Sequence, residues 1–176
     1  MKIIFKEMML LLITTFVVLT ISLLVQISTS ESLPRVESDF RKAAPRTVED
    51  LTQQSITRDY GFAWERLDRA LSSNSPWLLE AYFVGPAKVR LANAIAGQES
   101  SGMQSHYLNQ NHKLEAVFYS PEGDVMELHD TAQYDLQLVA DGKHIQDEHV
   151  VLHYVVLMTP AADRWVVRQM QAVPQF

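Results

Sequence analysis

Three hydrophobic rhythms follow one another along the chain, and the points where they change divide it. The first has no period: Met8 to Val25 reads MMLLLITTFVVLTISLLV, 18 residues without a charge, and Gln26-Ile27 carries it to 20. A helix of that length, rising ~1.5 Å per residue, spans the ~30 Å hydrocarbon core of a bilayer. Lys2 and Lys6 precede it, and Glu31, Arg35, Glu37 and Asp39 follow, so the charge bias sets the N-terminal side in the cytoplasm and the rest outside. Ser28-Thr29-Ser30 offers a small-residue cleavage site, but the apolar run exceeds the ~7 to 15 residues of a signal-peptide core. The expectation is an uncleaved anchor that meets the lipid bilayer from Met8 to Ile27, in a bacterial inner membrane, with the remainder in the periplasm.

Residues 28–46 (STSESLPRVESDFRKAAPR) mix Ser, charge and two prolines without periodicity, and read as a linker between residues 1–27 and a folded domain over 47–176. A period near 3.6 then begins, with Thr47 as the expected helix cap and Asp50 in the first turn. Ile56, Tyr60, Ala63, Trp64, Leu67 and Leu71 lay an apolar stripe on one face; Arg58, Asp59, Glu65, Arg66, Asp68 and Arg69 cover the rest. Ser72 to Ser75 stop this helix, Pro76 opens a short one over Trp77 to Val84, and Gly85-Pro86 opens a third. In the third, Val89, Ala92, Ile95 and Ala96 share a face.

After Gly102 the period falls to 2, the mark of strands. Leu114 to Ser120 ends in the turn Pro121 to Asp124. Met126, Leu128, Ala132, Tyr134, Leu136 and Leu138 then alternate with polar residues, and Asp130 is the one charge on the apolar register. Asp141-Gly142 signals a tight hairpin into His149 to Met158, a nearly continuous apolar run, and Trp165 to Val173 is the last strand. The pattern gives an α+β architecture: behind a transmembrane helix, three helices pack on a curved, four-stranded antiparallel sheet.

Composition narrows the function classes. Lys and Arg number 15 against 21 Asp and Glu, a net charge of -6, which removes the electrostatic footprint of a nucleic-acid partner. The absence of cysteine excludes disulfides, thiolate metal sites and a thiol nucleophile. Serine triads, phosphate-binding glycine loops and the HExxH pattern are also missing, and nothing calls for a cofactor.

The order of elements, with FAWERLDRAL closing the long helix, WLLEAYFVG following it and WVVRQMQAV closing the sheet, resembles the nuclear transport factor 2-like superfamily over Thr47 to Val173. Joined to a membrane anchor, it is similar to two groups: inner-membrane assembly factors of type IV secretion systems, and the intermembrane-space domain of plastid-division proteins and bacterial relatives. The resemblance implies a cone interior in which enzymes of the superfamily place an Asp or a His for proton transfer.

Asp130, with His129 beside it, is the candidate acid or base of such an interior; the plainer expectation is a β-bulge that returns Asp130 to solvent. Trp64, Tyr82, Tyr134 and Tyr154 are candidates to line a ligand pocket, or else to fill the core. His149 and His153 lie four residues apart on a strand, about 13 Å, too far to share one ion, so no metal is expected. His153, Val155, Trp165, Val167 and Gln169 are candidates for a wet sheet face through which a homodimer would pair, or which the helices or the linker would cover within one chain. The reading is a non-catalytic binding or assembly module contacting other envelope proteins; the alternative is a tethered enzyme or small-ligand carrier.

Overall fold

A computed structural model describes residues 33–176. The expected anchor lies outside the described residues, and among the described residues no helix is long and apolar enough to cross a membrane. Helix α1 spans Asp50–Ser72, and every residue of the expected apolar stripe is buried on it. Its cap is Glu49 rather than Thr47, with Asp50 in the first turn. A 3₁₀ turn, Pro76–Ala81, leads to α2, Gly85–Ser100. Ala87 and Ile95 are buried on α2 and Ala92 packs on the core, whereas Val89 is 61% exposed and Ala96 is exposed, so only part of the face expected from spacing packs.

Strands β1 (Arg35–Asp39) and β2 (Ala44–Pro45) precede the helices, and β3 (Met103–Tyr119), β4 (Met126–Ala140), β5 (Lys143–Pro160) and β6 (Trp165–Val173) follow them. The sheet has six strands in the order β1-β3-β4-β5-β6, with β2 also beside β3. β3 to β6 form the expected antiparallel meander, whereas β1 and β2 run parallel to β3. This corrects the four-stranded, purely antiparallel expectation, and the two added strands come from the stretch read as linker. The physical reason is tertiary: Ser38 Oγ meets Thr57 Oγ1 at 2.8 Å, and Val36 lies so near α1 that a Cβ on Gly61 would sit 3.5 Å from it. A short polar strand needs no periodicity of its own when a longer neighbour and a helix hold it.

Asp59 and Asp68, expected on the wet face of α1, are buried at its flanks. Asp59 Oδ2 accepts the Trp165 backbone N–H at 2.8 Å at the start of β6, and Asp68 Oδ1 accepts that of Tyr107 at 2.6 Å in β3. Asn74 Nδ2 adds a bond of 2.9 Å to the Met103 carbonyl. The helix thus satisfies backbone groups on β3 and β6, strands on opposite sides of the meander. Asp141 and Gly142, with φ of 49° and 70°, make the expected tight hairpin between β4 and β5.

Candidate functional site

β4 alternates without interruption through position 130, and Asp130 is fully buried. The bulge expectation is therefore overturned: register shifts fall instead at Leu108/Asn111 and Ala116/Phe118 on β3, at Leu138/Val139 on β4 and at Leu157/Met158 on β5. His129, one residue away, points to the other side of the sheet and meets the ring of Phe176 at 4.3 Å. Asp130 and His129 are not brought together as a pair.

The partners of Asp130 come from two other elements. Its Oδ2 accepts the Tyr60 hydroxyl from α1 at 2.7 Å and lies 2.9 Å from His112 Nδ1 on β3. All three side chains are fully buried, and Trp64 lies over His112 with ring centroids 4.4 Å apart. Burial, and then the Asp130 carboxyl beside it, hold the Tyr60 hydroxyl protonated far above its usual range. The Tyr60 and Asp130 positions were marked by the stripe and the interrupted register. His112 was not, because the strand read from the sequence began at Leu114, whereas β3 begins at Met103 and carries His112 on the inner face in step with Leu114 and Ala116.

Of the expected pocket aromatics, Trp64, Tyr134 and Tyr154 do converge, at 6.0 and 5.7 Å from the Trp64 ring, and Tyr107 stacks on Tyr134 at 4.4 Å. Burial comes first among the causes that raise all three tyrosines; Tyr154 is pushed up to about 12, and Tyr107 and Tyr134 go higher. Tyr82 lies apart, against Phe62 and beneath Arg164. The aromatic cluster fills the space between α1 and strands β3, β4 and β5. Clefts do open along the seam between β1 and α1, ≈ 500 Å³ around Phe40, Thr47 and Gln53 and ≈ 530 Å³ around Asp50, Gln54 and Arg58, but none of the residues lining them belongs to the Tyr60–Asp130–His112 group. Chemically the triad could pass a proton, yet among the described residues all three of its side chains are fully buried. What it does is tie α1, β3 and β4 through one carboxyl oxygen.

The expected dimer face divides in two. His153 and Val155 on β5 and Gln169 on β6 are half-buried, and His153 Nδ1 lies 3.1 Å from Thr131 Oγ1. Trp165 and Val167 are core residues, Val167 with no exposure at all, which corrects their placement on that face. The cause is the shift at Leu157/Met158: Gln169 pairs with Leu157 and Val167 with Met158, so Arg168 is the extra residue and the alternation reverses across it. His144 pairs with Asp147 and His149 with Asp135, each at 2.8 Å, and among the described residues no group of three or more such side chains could hold a metal ion.

No protein-family model matches the sequence. No curated protein matches it either. The fold does have solved counterparts: the intermembrane-space region of the chloroplast protein ARC6 superposes with a TM-score of 0.57 at 12% identity, over 73% of this chain and 98% of that one. At that identity the likeness is one of fold, and this chain shares an ARC6-like α+β domain.

Proposed function

We propose that this protein is a non-catalytic, membrane-anchored module that binds or assembles other proteins of a bacterial envelope complex. The observation that carries the reading is the cone interior, where Trp64, Tyr134 and Tyr154 close over a Tyr60–Asp130–His112 group that is fully buried among the described residues. In superfamily enzymes that volume is the active site; here it is the core. The likeness to the intermembrane-space region of the chloroplast protein ARC6 supports the plastid-division type over the secretion type. The anchor at Met8 to Ile27 supports the same reading, because a tethered domain meets its partners in the plane of a membrane.

Crosslinking in intact membranes, followed by purification of the full-length chain, tests it. Reproducible recovery of the same envelope proteins is expected, and their absence counts against the module. Retention in the pellet after alkaline carbonate washing, with Met1 present by mass, is the companion result for the anchor; a soluble species starting near Glu31 would reject it.

A further inference from the structure

β5 is 18 residues long, but β6 pairs only with its second part, from His153 opposite Val173 to Pro160 opposite Trp165. Residues 143–152 have β4 on one side and, among the described residues, no strand on the other, an edge of about 33 Å at ~3.3 Å per residue. Pro174 stands where β6 would continue along this edge, and a residue without N–H cannot extend the ladder. The chain turns instead to the outer face, where the Phe176 ring meets His129 and His153. The far edge of the same ribbon, on β3, is treated differently, since Asp68 and Asn74 satisfy its backbone at Tyr107 and Met103. Among the described residues no side chain does this for 143–152.

Beside the open edge the inner face carries a shelf of Leu136, Val150, Leu152 and Met170, packed on the core but only partly covered. Two nearby carboxylates are matched, Asp135 by His149 and Asp147 by His144. Glu148, opposite Leu136 in the register, is exposed and has no ion pair among the described residues. An unsatisfied backbone edge, an apolar shelf and one available carboxylate therefore lie together.

We propose that residues 143–152 are a strand-addition site for an extended segment of a partner protein whose inward-facing, alternate side chains are apolar except for one Lys or Arg in register with Glu148, which shares the inner face with Val150 and Leu152. Its backbone pairs with β5, its apolar residues cover the shelf, and a Lys or Arg sits against Glu148. A second copy of this chain is the poorer occupant, because a two-fold antiparallel pairing about the middle of the edge sets Asp147 or Glu148 against itself. The proposal gives the assembly module a location and a ligand chemistry, and rests on that reading. Capture of an envelope partner undiminished by Glu148→Lys would keep the module and remove this edge from it.

The test uses the full chain in neutral detergent micelles and a fluorescent decapeptide with threonine at every second position and, between them, valines and one central lysine, read by anisotropy against empty micelles. Saturable binding is expected, about tenfold or more weaker when one set of alternate peptide amides is N-methylated. Glu148→Lys should weaken it about fivefold, with thermal unfolding unchanged because the residue is exposed. The same peptide with glutamate in place of its lysine should not bind. No binding, equal binding of every N-methylated peptide, or equal binding to wild type and Glu148→Lys would overturn the proposal. So would a concentration-dependent dimer that the peptide dissolves, which would assign the edge to a second copy.

Discussion

The two ends of β4 and β5 belong to the same strands and obey different rules. From Met126 to Tyr134, β4 alternates buried and half-buried residues, whereas from Asp135 to Ala140 every residue is half-buried. In β5, Lys143 to His149 are all exposed, and full burial comes only at Val156 and Met158. The difference is what lies above. The lower end faces α1, whose Tyr60 and Trp64 reach Asp130, His112 and Tyr134; the distal end, beyond Tyr107, faces no comparable layer among the described residues. Alternation along a strand is a capacity for burial, and a helix decides where it becomes core. Asp130 shows the same point for a polar group, since under α1 it is sealed and tied, while the carboxylates of the distal ribbon remain in water.

The strongest test of this contrast is Val167→Glu. A carboxylate forced into a fully buried site without a partner costs about 3 to 5 kcal/mol or more, enough to unfold a domain of ordinary stability. Far-UV and near-UV circular dichroism should show loss of the fold; a folded variant would mean that β6 does not hold the register described here.

Alkali should also act on the lower end. Tyr60, Tyr107, Tyr134 and Tyr154 ionise more readily in the unfolded chain, near 10.0, than in the fold, so their contribution is complete below pH 10. It is lost as the pH climbs from 10 towards the folded values, Tyr154's being about 12. Phenolate absorbance and ellipticity should therefore change together in one transition. Ionisation of these tyrosines at pH 10 with the fold intact would show that the cone is open to solvent.

Asp130→Ala comes next, at about 3 kcal/mol of lost stability by urea titration, because the Tyr60 hydroxyl and His112 N–H are left buried without an acceptor. Asp130→Asn should cost less, since the amide oxygen still accepts. A cost near zero for Asp130→Ala would mean that water enters the site. On the distal ribbon, Ile145→Thr at a residue 58% exposed should change stability by less than about 0.5 kcal/mol. A larger loss would mean that this end is covered after all, and the contrast between the two ends would fail.

Much of this could be read before any fold was seen. The stripe of α1 and the limits of β6 follow from local periodicity, because a helix or strand facing one core must repeat its apolar residues at its own pitch. The Asp141-Gly142 hairpin follows from backbone sterics. The interrupted register at Asp130 announced a special residue, though not which way it faced or that Tyr60 and His112 would meet it. What failed lay wherever a long-range neighbour decides. β1 and β2 are strands because β3 offers an edge; Asp59 and Asp68 are buried because edge strands need acceptors; Trp165 and Val167 are core because one extra residue at Arg168 reverses the alternation. The chain's own pattern determined α1, α2 and the four strands of the meander, for each stores its information in residues a few positions apart. Which capacity for burial was used, and which edge was left open, was decided by tertiary structure, since burial and pairing depend on segments tens of residues away that leave no mark on the local period.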